Sequence, residues 1–395
     1  MRVLLFTGKG GVGKTTAAAA TAAVTAAQGL KTLVISTDPA HSLADALGVP
    51  LGSEPTEVEP GLSGQQVDAQ KRFERTWRDI QGYLLDALEK VGVDPLEAEE
   101  LTVLPGAEEV LALLAVREQI DSGRYDVVIV DCAPTAETLR LLSLPDALSW
   151  YLRRIWPVER RVVRSLRPVL NRVSSVPMPT DVVFDAVERL HAELTAVREV
   201  LADAERTTVR LVLTPEAVVV AEARRTMTTL SLYGYRVDAV VANRIIPPGD
   251  PWRDRWAEAQ ERQLTEVAES FAPLPVLRIP YQGAEPVGLE ALTEVGRAVY
   301  GDLDPVGLPA QGDPMDVART AEGFTLAIPL PFAEKEQVDL SRRGDELVVT
   351  VASRRRLLTL PSALRRCDVT GARFVDGRLL VEFVPDPAVW MSHDS

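Results

Sequence analysis

A glycine-rich stretch near the start of the chain has the residue types and the spacing that hold phosphate groups. Residues 8–16 read GKGGVGKTT and fit the pattern G-x-x-x-x-G-K-[ST], between a strand-like apolar run and a helix-forming run. Glycines let backbone N–H groups point at phosphate oxygens, and the N-terminus of the following helix adds a favourable dipole. We predict a phosphate-binding loop made by Gly8, Lys9, Gly10, Gly11, Val12, Gly13, Lys14, Thr15 and Thr16.

The two lysines of this loop have different predicted roles. Lys14 occupies the motif position that reaches the β- and γ-phosphates of a nucleoside triphosphate, and the Thr15 hydroxyl occupies the position that binds Mg²⁺. Lys9 is not required by that pattern. It is either a solvated loop lysine or a second cation delivered to the phosphates, including those of a partner subunit, in the manner of an arginine finger.

Polar side chains follow three strand-like runs, where open α/β sheets bind their ligands. Asp38 could orient and deprotonate an attacking water, or cap the helix that follows Pro39. Asp131 could act on Mg²⁺, or be a turn residue at the end of a strand. Both aspartates join Thr15 in the predicted Mg²⁺ site, some of them through water. Asn243 could hydrogen-bond to adenine, although asparagine is also common in turns.

The elements that must position these residues alternate along the first 300 residues. Apolar runs predict strands at Val3–Thr7, Thr32–Thr37, Val127–Asp131, Val209–Thr214, Val237–Asn243 and Val276–Ile279. Helical spacing predicts helices at Thr15–Gln28, Glu108–Asp121, Ala217–Leu232 and Trp252–Phe271. Because these strands are apolar throughout and alternate with helices, we predict an α/β fold, and the phosphate-binding loop makes it one of the P-loop NTPase type. Its doubly wound, mostly parallel sheet would be covered on both faces over residues 1–300.

The pattern changes after residue 300. The stretch GDLDPVGLPAQGDP is rich in Gly and Pro, so we predict a linker over residues 301–321. Short alternating strands over 322–386 predict a small C-terminal all-β sandwich, in which Asp376-Gly377 forms a hairpin turn. Residues 387–395 are then a tail.

Composition excludes several classes of protein. The chain of 395 residues has a net charge of −14, which disfavours general binding to nucleic acid. Its two cysteines cannot form a disulfide framework or a CxxC zinc pair, so we predict no structural zinc and a reducing cytoplasm as its location. No run approaches the roughly 20 apolar residues of a membrane-spanning helix.

The phosphate-binding loop and three further motifs resemble those of a known family. GKGGVGKTT is the deviant Walker A form, and STDPAHSLADALG (36–48) is similar to the switch I signature of the ArsA/Get family. DCAPTAETLRLLSLP (131–145) resembles the switch II of that family, and VVANR (240–244) resembles its adenine-recognising segment. The family contains arsenite-pump ATPases and targeting factors for tail-anchored membrane proteins. Cys132 and Ala136-Glu137 depart from the usual Thr and Gly-His of switch II.

The resemblance implies an ATP-hydrolysing homodimer with ATP and Mg²⁺ as cofactors. It implies that Lys9 reaches across the dimer interface, that Asp38 positions the attacking water, and that Asp131 is the Walker B carboxylate. Arsenite pumps hold a soft metalloid with about three thiolates, and this chain has no cysteine cluster.

Residues 145–205 form the largest predicted insertion, a basic amphipathic helical segment broken at Pro157. It could bind a hydrophobic client helix or an anionic membrane surface, or it could pack on the domain with its arginines in solvent. The candidate client-binding residues are Leu152, Ile155, Trp156, Val163 and Leu166.

The sandwich segment resembles the α-crystallin domain of small heat-shock proteins. The resemblance lies in the strand RRGDELVV and in a turn made by Ala372, Phe374, Asp376, Gly377 and Leu379. Its edge strands could bind exposed apolar chain, or the domain could simply cover part of the ATPase surface.

Three functions follow in order of preference. The first is a Mg²⁺-dependent, nucleotide-switched homodimeric ATPase that handles a hydrophobic protein client. The second is an arsenite-efflux ATPase subunit, and the third is a nucleotide-controlled scaffold that docks on a membrane or a partner protein.

Overall fold

The computed structural model of the chain describes residues 1–38, 42–67, 107–133, 181–309 and 315–387. Two separate clusters of buried apolar side chains organise these stretches. One cluster surrounds a large sheet, and the other fills a smaller antiparallel domain near the C-terminus. None of the described helices has both the length and the apolar character needed to cross a lipid bilayer.

The large sheet has eight strands. They are β1 (Arg2–Thr7), β2 (Thr32–Ser36), β3 (Thr56–Glu59), β4 (Leu62–Gln66), β5 (Val127–Asp131), β6 (Thr207–Leu213), β7 (Val237–Ile245) and β8 (Val276–Pro280). Their order across the sheet is β3-β4-β2-β5-β1-β6-β7-β8, and every pairing is parallel except that of β3 with β4. The carboxyl ends of β4, β2, β5 and β1 are therefore neighbours along one edge of the sheet.

Seven helices longer than one turn are described. They are α1 (Lys14–Ala27), α2 (Ser42–Leu47), α3 (Ala107–Asp121), α4 (Asp181–Ala202), α5 (Ala217–Tyr233), α6 (Pro251–Phe271) and α7 (Leu289–Tyr300). Helix α1 is rich in alanine and almost wholly buried. Its small side chains allow α7 to approach closely, and a side chain at Gly296 of α7 would collide with the Ala20 carbonyl.

The predicted elements of the first 300 residues are confirmed to within two residues at each end. The structure adds elements that the sequence patterns did not predict. Strand β4 reads LSGQQ and has a single large apolar residue, so it lacks the pattern of a buried strand. Helix α2 has only six residues, and α7 contains the helix-weakening Gly296.

A buried arginine fastens the end of α7 to the sheet. Arg210 of β6 is completely buried, and its Nε donates to Asp238 Oδ1 at 3.1 Å. Its other two nitrogens donate to Tyr300 Oη at 2.6 Å and to the Pro305 carbonyl at 2.5 Å. The charge is compensated by Asp238 and the donors are satisfied, which is the condition for burying an arginine.

The C-terminal domain consists of two antiparallel sheets that share one apolar core. The four-stranded sheet has the order β14-β15-β10-β9 and the three-stranded sheet the order β11-β12-β13. The strands are β9 (Asp316–Arg319), β10 (Phe324–Pro329), β11 (Val338–Arg343), β12 (Glu346–Val351), β13 (Arg354–Thr359), β14 (Cys367–Val375) and β15 (Arg378–Pro385), with a one-turn α8 (Ser362–Arg365). Asp376 and Gly377 both have positive φ in the β14–β15 hairpin, as predicted. Strand β9 lies within the stretch predicted to be a linker, so the ordered sandwich begins earlier than expected.

The sandwich packs on α5, one of the helices that cover the large sheet. Leu232 of α5 is completely buried and belongs to the apolar core of the sandwich. Tyr233 Oη donates to the Arg355 carbonyl at 3.2 Å, and the Arg356 guanidinium donates to the Leu232 carbonyl. One end of α5 is thus an integral part of the sandwich.

Candidate functional site

The glycine-rich loop joins β1 to α1 and is tightly enclosed. Gly13 has φ +89°, and a Cβ built on it would lie 2.1 Å from the Asn243 side-chain nitrogen. A Cβ on Gly8 would lie 2.1 Å from the Val212 carbonyl oxygen. Glycine is therefore required at both ends of the loop, and the loop backbone can approach a ligand closely.

Lys14 and Thr15 are the first residues of α1, where the helix dipole favours an anion. Lys14 is buried, and its Nζ lies 3.3 Å from the Lys9 carbonyl oxygen. Thr15 Oγ1 donates to Asp131 Oδ2 at 2.8 Å and lies 3.1 Å from Ser42 Oγ. The structure thus brings Lys14, predicted to bind phosphate, close to Thr15 and Asp131, which are two of the three residues predicted to bind Mg²⁺.

Asp131 ends β5 and is only 1% exposed. Its Oδ2 accepts from Thr15 and, at 3.2 Å, from Ser36 Oγ, whereas its Oδ1 accepts no hydrogen bond among the described residues. Burial raises the pKa of Asp131 to about 6, and the Thr15 hydrogen bond and the Lys14 charge oppose that rise. A buried carboxylate with an unsatisfied oxygen is unfavourable unless a cation completes it.

The chemistry of this donor set fits Mg²⁺. The donors are a carboxylate and hydroxyl groups, which are the hard oxygen ligands that Mg²⁺ prefers. Among the described residues no three His, Cys, Asp or Glu side chains are grouped as a metal site. Mg²⁺ sites in nucleotide-binding proteins need few carboxylates, because phosphate oxygens and waters supply the remaining ligands.

Asp38 lies two residues beyond the end of β2, at the same edge of the sheet as Asp131. Its backbone N–H donates to Ser36 Oγ at 3.2 Å, and its carbonyl accepts from Gln66 Nε2 at 2.8 Å. Residues 39–41, which lie between Asp38 and the described part of α2, are outside the described residues, so the alternative that Asp38 caps this helix stays a prediction. The backbone of Asp38 is thus fixed at the sheet edge where β5 ends with Asp131, which is the edge at which such sheets bind ligands.

Lys9 has an intrachain partner that neither of its predicted roles included. Its Nζ lies 3.7 Å from Glu222 Oε2 on α5, and the Lys9 side chain is 41% exposed. A glutamate on the surface of α5 has no pattern that distinguishes it from a solvated residue, so the sequence could not identify this pair.

Asn243 near the end of β7 supports the phosphate loop from the side. Its Nδ2 donates to the Val12 carbonyl at 2.8 Å, and its Oδ1 accepts from the Arg244 N–H at 2.8 Å. It also lines a cavity of about 430 Å³ together with Gly13, Thr16 and residues 279–286. The size and position of this cavity suit the base and ribose of a nucleotide.

Sequence reasoning missed the segment 279–286, which forms much of this cavity. It follows β8, and β8 lies beside β7 with its carboxyl end at the same edge of the sheet. That position was the signal available in the sequence, since ligands of such sheets bind at this edge.

Replacing Asn243 with alanine should weaken ATP binding by about fivefold, since one buried hydrogen bond to the loop is worth about 1 kcal/mol. Asn243→Asp should weaken binding at least as much, because it keeps the acceptor for Arg244 but loses the donor to Val12. Calorimetric titration with ATP measures both, and circular dichroism checks that each variant is folded. Unchanged affinity in both variants would show that Asn243 does not support the loop.

The remaining predicted site residues divide into two groups. Gly10 and Gly11 lie at the exposed tip of the loop, and Thr16 faces the cavity. The candidate client-binding residues Leu152, Ile155, Trp156, Val163 and Leu166 lie outside the described residues, as does the switch II sequence beyond Ala133.

Comparison with known proteins identifies both parts of the chain. Residues 1–301 match a family described as anion-transporting ATPase, and residues 321–383 match one described as an HSP20-like domain found in ArsA. A Chlorobaculum tepidum protein named "Putative arsenical pump-driving ATPase" is 37% identical over 388 residues, which cover 97% of this chain and 96% of that protein.

Two other relatives have different names. A Streptomyces coelicolor protein named "Uncharacterized protein SCO2128" is 42% identical over 396 residues, which cover 99% of each chain. A Paramecium tetraurelia protein named "ATPase ASNA1 homolog 1" is 27% identical over 295 residues, which cover 73% of this chain and 88% of that protein.

Proposed function

The chain belongs to the anion-transporting ATPase family, and we propose that it hydrolyses Mg²⁺-bound ATP as a homodimer that switches conformation with its nucleotide. The observation that carries this proposal is the geometry around Asp131. A buried carboxylate with one unsatisfied oxygen lies against Thr15, the second residue of the helix that follows a phosphate-binding loop. Phosphate and a divalent cation would complete both groups.

Each residue of the site has a defined task in this proposal. The loop N–H groups and Lys14 bind the phosphates, and Lys14 exchanges the Lys9 carbonyl for a phosphate oxygen. Thr15 and Asp131 would hold the Mg²⁺, which would supply positive charge to stabilise the phosphates. Asp38 orients the attacking water and accepts its proton. Asn243 and residues 279–286 enclose the base.

The homodimer is proposed from the position of Lys9. In the single chain its ammonium group is paired with Glu222 rather than directed at its own phosphate site. A partly exposed ion pair is worth only about 0–1 kcal/mol, so Lys9 can leave it at little cost when a stronger anion is presented. The triphosphate of a second subunit is such an anion.

Dimer formation with ATP can be measured directly by light scattering. The Asp38→Asn variant should double its mass with Mg²⁺ and ATP and remain monomeric with ADP. A mass that does not respond to the nucleotide would contradict a nucleotide-switched homodimer.

We propose a hydrophobic protein segment as the client, because the chain contains an HSP20-like domain. We also propose the cytoplasm as the location of the protein. Edge strands β9 and β14 each expose a valine, Val317 and Val375, on the surface of that domain. Such edges can pair with an extended apolar chain. Two cysteines without disulfide partners are consistent with a reducing compartment.

Trapping should identify the client. The Asp38→Asn variant is expressed in its own host, held with ATP, purified and searched for co-purifying proteins by mass spectrometry. Enrichment of proteins with a single apolar span, absent with ADP, is the expected result. Absence of any nucleotide-dependent partner would remove the client from the proposal and favour a docking scaffold.

A metalloid-efflux ATPase is the second candidate function, and the names of relatives favour it. The cysteines oppose it. Cys132 follows β5 and Cys367 begins β14, and both are buried in different domains, so one chain cannot offer the three thiolates of a soft site. Antimonite should therefore leave the hydrolysis rate unchanged, and stimulation by antimonite would restore this candidate.

A further inference from the structure

Gln66, the last residue of β4, holds the backbone of Asp38. Its side chain is 3% exposed, and its Nε2 lies 2.8 Å from the Asp38 carbonyl oxygen. Only the amide nitrogen can donate to a carbonyl, so this contact fixes the orientation of the amide group. The other amide atom, Oε1, is buried and accepts no hydrogen bond among the described residues.

A buried glutamine whose Oε1 has no partner among the described residues does not favour stability. An apolar side chain of similar size would avoid the cost of burying an unpaired oxygen. Apolar residues are buried elsewhere in the adjacent strand, since Leu33, Val34 and Ile35 of β2 are completely buried, and Gln66 itself pairs with Ser36. The side-chain hydrogen bond that the structure describes for Gln66 is the one to the Asp38 carbonyl.

Ser36 provides the second support for the same residue. Its Oγ accepts the Asp38 N–H at 3.2 Å and donates to Asp131 Oδ2 at 3.2 Å. Ser36 pairs in register with Gln66 on one side and with Asp131 on the other. The two polar groups of the Asp38 peptide backbone are thus fixed from two strands, and one of these supports is bonded to the proposed Mg²⁺ ligand.

We propose that Gln66 is a positioning residue for hydrolysis, which fixes the carbonyl of Asp38 so that its carboxylate stays in line with the attacking water. This inference rests on the proposed role of Asp38. Misplacement of a catalytic group by about 1 Å can lower a rate by about 100-fold, so a single bond to the backbone is sufficient to matter.

The chain offers a matched control in the adjacent residue. Gln65 is completely buried, its Nε2 donates to the Ser53 carbonyl at 2.7 Å, and its Oε1 is also unsatisfied. Successive residues of a strand face opposite sides of the sheet, so Gln65 points away from Asp38. The two glutamines therefore lie in the same strand, are both buried, and each donate one hydrogen bond to a backbone carbonyl. They differ in which carbonyl accepts that bond, Ser53 for Gln65 and Asp38 for Gln66.

The test compares Gln66→Met with Gln65→Met in the full chain. Methionine keeps the length of the side chain and removes the amide. Gln66→Met should lower kcat by about 10- to 100-fold while KM and the Kd for ATP stay within about twofold. Gln65→Met should keep kcat within about twofold of the unsubstituted protein. Equal values of kcat in the two variants would overturn the inference.

Two further variants separate this inference from the proposed function. Gln66→Glu keeps the shape, and its ionised carboxylate presents only acceptors to the Asp38 carbonyl, so above the pKa of this Glu the variant should lose kcat as Gln66→Met does, even if the latter folds poorly. Adding Gln66→Met to Asp38→Asn should lower the residual rate no further, because the two residues act as a unit. Loss of kcat in Asp38→Asn but not in either Gln66 variant would refute the role of Gln66 alone. Full activity in Asp38→Asn would remove the proposed role of Asp38 and this inference with it.

Discussion

An asparagine in place of Asp131 should abolish Mg²⁺-dependent ATP hydrolysis and at the same time stabilise the nucleotide-free protein at pH 7. The rate should fall by at least about 1,000-fold, because the cation that neutralises the phosphates loses its anchor. The stability should rise by about 1–3 kcal/mol, because the fold no longer has to bury a carboxylate whose pKa is raised to about 6. Thr15 and Ser36 can still donate to the asparagine oxygen.

The gain in stability should depend on pH in a defined direction. Asp131 has a pKa near 6 in the folded protein and an ordinary value of 3.8 when unfolded, so the fold favours its protonated form. The wild-type protein therefore loses stability relative to the variant as the pH rises from about 4 to about 6. Below pH 4 the two proteins should differ little, and above pH 6 the difference should reach its plateau.

Urea unfolding of both proteins between pH 4 and pH 8 measures this difference without nucleotide. Asp126→Asn is a suitable control, since Asp126 precedes the same strand at its opposite end and is exposed, so its loss should give no gain. With Mg²⁺ and ATP present the order should reverse, because only the wild-type protein gains stability from binding. A variant that is less stable than the wild type at pH 7 would show that the carboxylate is not strained in the empty site.

The parts of the site that the sequence predicted are those set by local or topological rules. The loop from Gly8 to Thr16 is contiguous, and its motif contains the glycines and the lysine that phosphate binding needs. Asp38 and Asp131 are far apart in the chain, but both follow strands of a parallel sheet, and such strands end at one edge. Proximity therefore followed from topology without knowledge of any side-chain contact.

The parts that the sequence did not predict depend on contacts between distant polar residues. Gln66 lies in a strand without an apolar pattern, and its function appears only once the Asp38 carbonyl is placed beside it. In the sequence, Glu222 looks like any other charged residue on a helix surface. The structure places its Oε2 atom 3.7 Å from Lys9 Nζ. Arg210 interrupts an apolar strand, and only the buried Asp238 explains why it is tolerated. No local periodicity encodes these pairs.

Helix α5 is where the two domains and the phosphate loop meet. Glu222 near its start contacts Lys9 of the loop, and Leu232 near its end is buried in the core of the sandwich. The sequence predicted this helix as an ordinary covering element of the sheet. The structure shows in addition that the loop lysine and the core of the sandwich both contact this one helix.

Mixing two inactive variants should restore ATP hydrolysis if Lys9 serves the site of the partner subunit. Asp38→Asn should lower turnover by about 100- to 10,000-fold, because the attacking water loses its base, while ATP binding is kept. Lys9→Ala should lower turnover by about 100-fold or more, because the transition state loses a cation. Each homodimer then lacks one essential group at both of its sites.

A mixed dimer contains one complete site only if Lys9 acts across the interface. The Lys9→Ala subunit keeps its own Asp38 and receives Lys9 from the Asp38→Asn subunit. With random assortment, half of the dimers are mixed and each has one of two sites intact, so the mixture should recover about a quarter of the wild-type rate. If Lys9 served its own site, no subunit of the mixture would hold both groups and the rate would stay at the level of the separate variants. Phosphate release at equal subunit concentrations, before and after mixing, distinguishes the two results.

Glu222→Gln provides the control, because it removes the intrachain partner of Lys9 without touching either site. That variant should be at least as active as the wild type, since the ion pair that it breaks must open before Lys9 can cross to the partner.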